Sequence, residues 1–161
     1  MNWQSICNDP TLNNLPYKFE TDRWGHIVMS PATNRHSHYQ AMIAKLLDHY
    51  LSNGLAFPEC SIQTSQGVKV ADVAWASAAF LKGQGDVNPY PVAPAIVVEV
   101  LSPSNSITEM DEKQLLYFER GAEEFWLCEE QGGMRFYTPQ GQIAKSRLVP
   151  DFPAIVTLPF I

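Results

Sequence analysis

Apolar side chains recur at Tyr39, Met42, Ile43, Leu46, Leu47, Tyr50 and Leu51, three or four positions apart. That spacing predicts an amphipathic helix running to about Ser52, capped by Thr33 or Asn34 and closed by Asn53-Gly54. A second helix is predicted over residues 107–120, with Ser104 or Ser106 as cap and Gly121 as stop. On its wheel Ile107, Met110, Gln114, Tyr117 and Phe118 share an arc of roughly 100°. Lys113 lies beside that arc, next to Tyr117. Elsewhere the pattern shortens to extended pieces split by turn residues. Residues 17–20 and 26–29 flank Asp22-Arg23-Trp24-Gly25 and predict a β-hairpin. Residues 56–64 and 68–75 flank Ser65-Gln66-Gly67 and predict a second, with Asp72 in its outgoing arm. Residues 77–81 read as one helical turn and 82–94 as a loop. Strands are expected at 123–128 and 134–137, then at 143–149 and 154–158.

The organising stretch is residues 95–102, Ala-Ile-Val-Val-Glu-Val-Leu-Ser, set between Pro94 and Pro103. A continuous apolar run of this length predicts a central strand buried on both faces. It carries one acid, Glu99, and an ionised carboxylate there is costly unless a cation or hydrogen-bond donors meet it. The order of elements predicts an α/β or α+β fold around a mixed sheet. Residues 1–16, with two prolines and four asparagines, read as an irregular arm before a single domain over 17–161.

Composition narrows the function. The 161 residues are 45% apolar, which is ordinary for a globular domain, and no apolar run reaches the roughly 18 residues a membrane span needs. The N-terminus lacks a basic segment followed by an apolar one, so no signal peptide is expected. Cys7, Cys60 and Cys128 are scattered and form no CxxC pair, which suits a reducing cytoplasm and argues against a cysteine zinc site. The net charge of -6 supplies no overall attraction to nucleic acid.

Glu20, Asp72, Glu99 and Lys113 stand out as a set. Two carboxylates on neighbouring strands can hold a hard divalent cation such as Mg²⁺. That cation could orient a water and stabilise charge on a phosphoryl oxygen, with a nearby lysine positioning the water. Singly, each residue has a plainer reading: an edge acid, a structural ion pair, a snorkelling lysine. His36 and His38 open the first helix. Either could donate to a phosphate, but at i, i+2 they point to different sides and do not share a metal.

These residues resemble the Uma family of restriction endonucleases, a bacterial group expanded in cyanobacteria, within the PD-(D/E)XK nuclease superfamily. Ala95-Ile-Val-Val-Glu-Val-Leu-Ser-Pro-Ser104 is similar to that family's "dlvvEvlSPS". Glu112-Lys113 with Tyr117 resembles "EK…Y", and Gly121-Ala-Glu-Glu-Phe-Trp-Leu127 resembles "GvpEYWlvd". Upstream, Val70-Ala71-Asp72-Val73 resembles the "PDv" strand, and Val28-Met29-Ser30-Pro31 with His36 resembles "vmsPs…H".

The resemblance implies a restriction-endonuclease-like fold, with a mixed central β-sheet flanked by helices, often as a homodimer. It implies a DNA substrate, Mg²⁺ or Mn²⁺ held by Asp72 and Glu99, and Glu20 as a third acid. His36 is a candidate for contact with the substrate. The superfamily pattern puts a lysine two residues after the second acid, and here that residue is Leu101. The family shows the same departure, and the resemblance implies that Lys113 takes the lysine's role, with Gln114 helping to position the water. Ala71 stands where the motif has proline. The competing expectation is a catalytically inactive binding or assembly module on the same fold, motivated by the acidic net charge. A third is action on RNA or another phosphodiester.

Overall fold

A computed structural model describes residues 2–160. Helix α1 (Trp3–Cys7) starts at Asn2, whose side chain accepts from Ser5 N, so the expected irregular arm begins with a short capped helix and buries Ile6. Strands β1 (Tyr17–Thr21) and β2 (Ile27–Pro31) form the first hairpin. Helix α2 (Asn34–Tyr50) follows, capped by Thr33, which accepts from His36 N. Strands β3 (Gly54–Thr64) and β4 (Gly67–Ser77) form the long second hairpin. Helix α3 (Ala78–Gln84) is longer than the single turn expected. Strand β5 (Ile96–Val100) is the central run, and all five residues are buried. Helix α4 (Ile107–Glu119) opens with a capping box between Ser106 and Glu109. Strands β6 (Glu124–Cys128), β7 (Met134–Thr138) and β8 (Gly141–Ile143) complete the fold.

Six strands form one sheet in the order β3-β4-β5-β6-β7-β8, and β1-β2 form a separate two-stranded ribbon. Only the β5–β6 pair is parallel. A parallel pair cannot be closed by a tight turn, and α4 is the crossover that joins them. The residues of β5 alternate between two cores. Ile96, Val98 and Val100 pack with Tyr39, Ile43 and Leu47 of α2. Val97 packs with Met110 and Tyr117 of α4. The helices therefore cover opposite faces of the sheet. On α4 the buried stripe is turned from the expected arc: Leu116 is buried and Ile107 is 49% exposed.

Two expected strands are absent. Residues 144–149 do not pair as a strand, because their polar groups close on a buried acid. Arg147 N and Leu148 N donate to Glu124 Oε1, and Ser146 Oγ donates to Glu124 Oε2 at 2.6 Å. Residues 154–158 contribute only a bridge between Gly133 and Ile155. The chain turns away after Val156 N donates to the Gly132 carbonyl.

Candidate active site

The register of β4 and β5 decides where the two central acids stand. Val73 faces Val98, Ala74 faces Val97 and Trp75 faces Ile96. Continued by one residue, that antiparallel register puts Asp72 opposite Glu99, and opposed residues share a face of the sheet. Both acids are 1% exposed. Val100 N donates to Asp72 Oδ2 at 2.7 Å, which fixes the carboxylate against the neighbouring strand.

The first hairpin brings the next two groups. Lys18 and Glu20 are two apart on β1, so they project to one side. Three contacts clamp β1 onto the start of β4. Glu20 Oε2 accepts from Val70 N at 2.7 Å, Thr21 Oγ1 accepts from Val68 N at 2.8 Å, and the Thr21 carbonyl accepts from Lys69 Nζ at 2.8 Å. Gly67 makes this approach feasible. Its φ is +92°, and a Cβ there would collide with the carbonyl oxygens of Thr21 and Asp22.

The groups then meet. Lys18 Nζ lies 2.9 Å from Asp72 Oδ1 and 3.6 Å from Glu99 Oε2. Lys113 Nζ, from α4, lies 2.9 Å from Glu20 Oε2 and 3.3 Å from Glu99 Oε1. Tyr117, one helical turn further on, donates its hydroxyl to Glu99 Oε1 at 2.7 Å. His36, in the first turn of α2, places Nε2 3.2 Å from Asp72 Oδ2. Its Nδ1 is buried without a hydrogen-bond partner. Three acids, two lysines, a histidine and a tyrosine hydroxyl thus form one connected network.

Burial and charge pull these groups in opposite directions. Burial raises Asp72 and Glu20, but the ammonium groups outweigh it, and both carboxyls lie below their ordinary values. For Asp72 the principal opposing charge is Lys18, assisted by His36, and for Glu20 it is Lys113. Glu99 goes the other way. Burial dominates and lifts it to about 7, against the pull of Lys113 and Lys18. Burial lowers both lysines, yet Glu99 and the other acids outweigh it and hold each above the ordinary lysine value. Burial also lowers His36, and its hydrogen bond to Asp72 reverses that into a net rise. Burial raises the Tyr117 hydroxyl well above its usual range, so it stays a donor.

The network forms the floor of a cavity of about 660 Å³ bounded by the first hairpin, the start of α2 and one side of α4. Of the residues singled out in the sequence, Glu20, Asp72, Glu99, Lys113 and His36 converge there. Gln114 is half-buried on α4 and does not line the cavity, and His38 is exposed on α2. Leu101, at the superfamily's lysine position, packs against the apolar cluster beneath α4. Two members of the network, Lys18 and the Tyr117 hydroxyl, are not among the candidate site residues of the sequence. For Lys18 the one local hint is its i, i+2 spacing from Glu20, which by itself does not set it apart from a solvated strand lysine. Tyr117 belongs to the apolar arc and to the "EK…Y" match, but neither announces the contact of its hydroxyl with Glu99.

A family model described as "Uma2: Putative restriction endonuclease" matches residues 10–159, nearly the whole chain. The chain belongs to the Uma2 family. No curated protein matches it. Among solved structures it is similar to a protein described as a putative nuclease belonging to DUF820, from Anabaena variabilis ATCC 29413. The TM-score is 0.66 at 21% identity, over 78% of this chain and 76% of the other. The likeness establishes a shared fold: a mixed sheet flanked by helices, as expected for an Uma2 protein. No helix among the described residues is long and apolar enough to cross a membrane.

Proposed function

We propose that this Uma2 protein is a metal-dependent endonuclease that hydrolyses DNA phosphodiester bonds. The observation that carries the reading is the convergence of Asp72, Glu99, Glu20 and Lys113, from three strands and a helix, on the floor of one open cavity. Among the described residues no cluster of three or more His, Cys, Asp or Glu stands ready as a metal cage. The donor set nevertheless fits a hard cation. Asp72 and Glu99 offer carboxylate oxygens on one face of the sheet, and the Lys18 ammonium already bridges them as a shared positive charge. Asp72 and Glu99 would hold Mg²⁺ or Mn²⁺, with Glu20 beside them. The ion, when bound, would supply a polarised water and charge stabilisation at a phosphoryl oxygen.

The chain's own groups supply the rest. Lys113 stands between Glu20 and Glu99 and is placed to orient the attacking water. Tyr117 holds Glu99 in position through its hydroxyl. His36 holds Asp72 through Nε2 and stands at the cavity wall, where a phosphate of the substrate would pass. Purified protein with Mn²⁺ should cleave DNA, and Asp72→Ala should abolish that cleavage. Metal-dependent cleavage that survives in the variant would refute the assignment.

A second reading has its own support. The three buried acids are already compensated by Lys18, Lys113 and His36, which is what a structural ion network in a binding module would show. Calorimetric titration with Mn²⁺ separates the two. Heat that disappears in Asp72→Ala supports the nuclease, and no heat in the wild type supports the module.

A further inference from the structure

The mouth of the cavity has two characters. Part of its lining is apolar and open to solvent: Trp24 is 68% exposed, Leu115 63% and Val28 42%. Much of the remainder is acidic. Apart from the paired acids and lysines of the floor, five carboxylates line the cavity against two bases, Arg23 and Lys69. Duplex DNA is gripped through rows of Lys and Arg that neutralise the phosphates of both strands. This mouth has no such row, and a second backbone would run against carboxylates such as Glu109, Glu112 and Glu119. An unpaired base is uncharged and flat, and it matches the apolar part.

The platform for it is built into the first hairpin. Arg23 and Trp24 form the tip of the turn between β1 and β2, with the Arg23 guanidinium 4.2 Å from the centre of the indole ring. Asp22 holds the turn in shape, because its Oδ1 accepts from Trp24 N at 2.9 Å and from His26 N at 2.8 Å. The hairpin itself is clamped to β4 through Glu20 and Thr21. The indole is thus presented on an ordered turn that lines the same cavity as the buried acids, and a base docking on it has little ordering left to do.

We propose that the Arg23–Trp24 tip stacks an unpaired base of the substrate strand, which makes single-stranded or locally unpaired DNA the substrate class of this cavity. The assignment rests on the nuclease reading of the cavity floor. It is tested separately, by binding in EDTA, where no metal takes part and no cleavage occurs. Fluorescence anisotropy of labelled oligodeoxythymidylate and of a blunt duplex of equal length gives the comparison. The single strand should bind at least tenfold more tightly than the duplex. Trp24→Ala should weaken single-strand binding about tenfold, the usual scale for loss of one stacking contact, and Trp24→Phe should keep most of it. Because Trp24 is exposed, circular dichroism of the variants should match the wild type. Equal or tighter binding of the duplex, or single-strand binding unchanged in Trp24→Ala, would overturn the proposal. So would loss of self-association in sedimentation for Trp24→Ala and Leu115→Ser with DNA binding intact, which would make the apolar lip an interface between copies. The Mn²⁺ titration is read independently, so failure of stacking and failure of metal binding remain distinct results.

Discussion

The Lys18 ammonium stands between the two central acids, 2.9 Å from Asp72 and 3.6 Å from Glu99. It occupies the position of a cation shared by two carboxylates, and it competes with any ion that binds there. Lys18→Met keeps the apolar stem and removes the charge. Breaking a buried pair by deleting one partner costs about 3–5 kcal/mol. The metal-free variant should therefore melt well below the wild type. Added Mn²⁺ should raise its melting temperature more than it raises that of the wild type. A variant with an unchanged melting temperature, or one that Mn²⁺ does not rescue, would show that the lysine is not acting as a stand-in charge.

The hydroxyl of Tyr117 is buried and donates to Glu99 Oε1 at 2.7 Å, while its ring packs in the core under α4. Tyr117→Phe preserves the ring and deletes that donor. A hydrogen bond to a charged partner contributes about 1.5–3 kcal/mol. Urea unfolding should show a loss of that size above pH 7, where Glu99 is ionised. The loss should be smaller at pH 5, where the acid carries its proton. Equal losses at the two pH values would argue against Glu99 as the titrating partner.

Stability should pass through a maximum in mildly acidic solution. Asp72 and Glu20 lie below their ordinary values of 3.8 and 4.5, so their contribution is present above those values and is lost as pH falls further. Glu99 is raised from 4.5 to about 7, and His36 is raised from 6.5. For both, the folded state binds the proton more tightly than the unfolded chain does. Their contribution is complete below the unfolded values and is lost as pH rises through the folded ones. Together these place the optimum at about pH 5, with decline on the alkaline side through neutrality. Urea midpoints measured from pH 3 to 9 would reveal the curve, and a plateau across pH 5 to 8 would contradict it.

Gly67 and Gly25 provide a paired test of how the first hairpin is held. Both have positive φ, +92° and +81°. A Cβ on Gly25 meets nothing within 4 Å, whereas one on Gly67 collides with the backbone of Thr21 and Asp22. Gly25→Ala should cost about 1–2 kcal/mol from backbone strain alone. Gly67→Ala should cost more, and it should also weaken Mn²⁺ binding, because Lys18 and Glu20 move with the hairpin. Calorimetry and urea unfolding of the two variants would reveal the difference. Identical behaviour would mean that the clamp does not position the acids.

The parts of the fold written in local periodicity were readable from the chain. The three-to-four spacing along Tyr39–Leu47 gave α2, and the aliphatic run around Glu99 gave β5. Asp72, Glu99 and Lys113 were legible because each breaks an apolar pattern or flanks one. Lys18 was not, since a lysine in a short strand near a hairpin reads as solvated until the partner strand is placed. The C-terminal stretch was misread for a related reason. Its backbone donors close on Glu124, a contact across more than twenty residues that no local pattern announces. Gln114 shared the helical arc of Tyr117, but the cavity opens along the Lys113 side of α4.

The acid and the lysine that serve it ride on different elements. Glu99 is fixed within a strand bonded to neighbours on both sides, while Lys113 sits on the crossover helix. A small slide or tilt of α4 therefore alters the spacing of the two charges without disturbing a single rung of the sheet. The side of that helix turned away from the cavity, where Thr108 and Asp111 face solvent, is therefore a handle through which a force at the surface would reset the distance between the two charges.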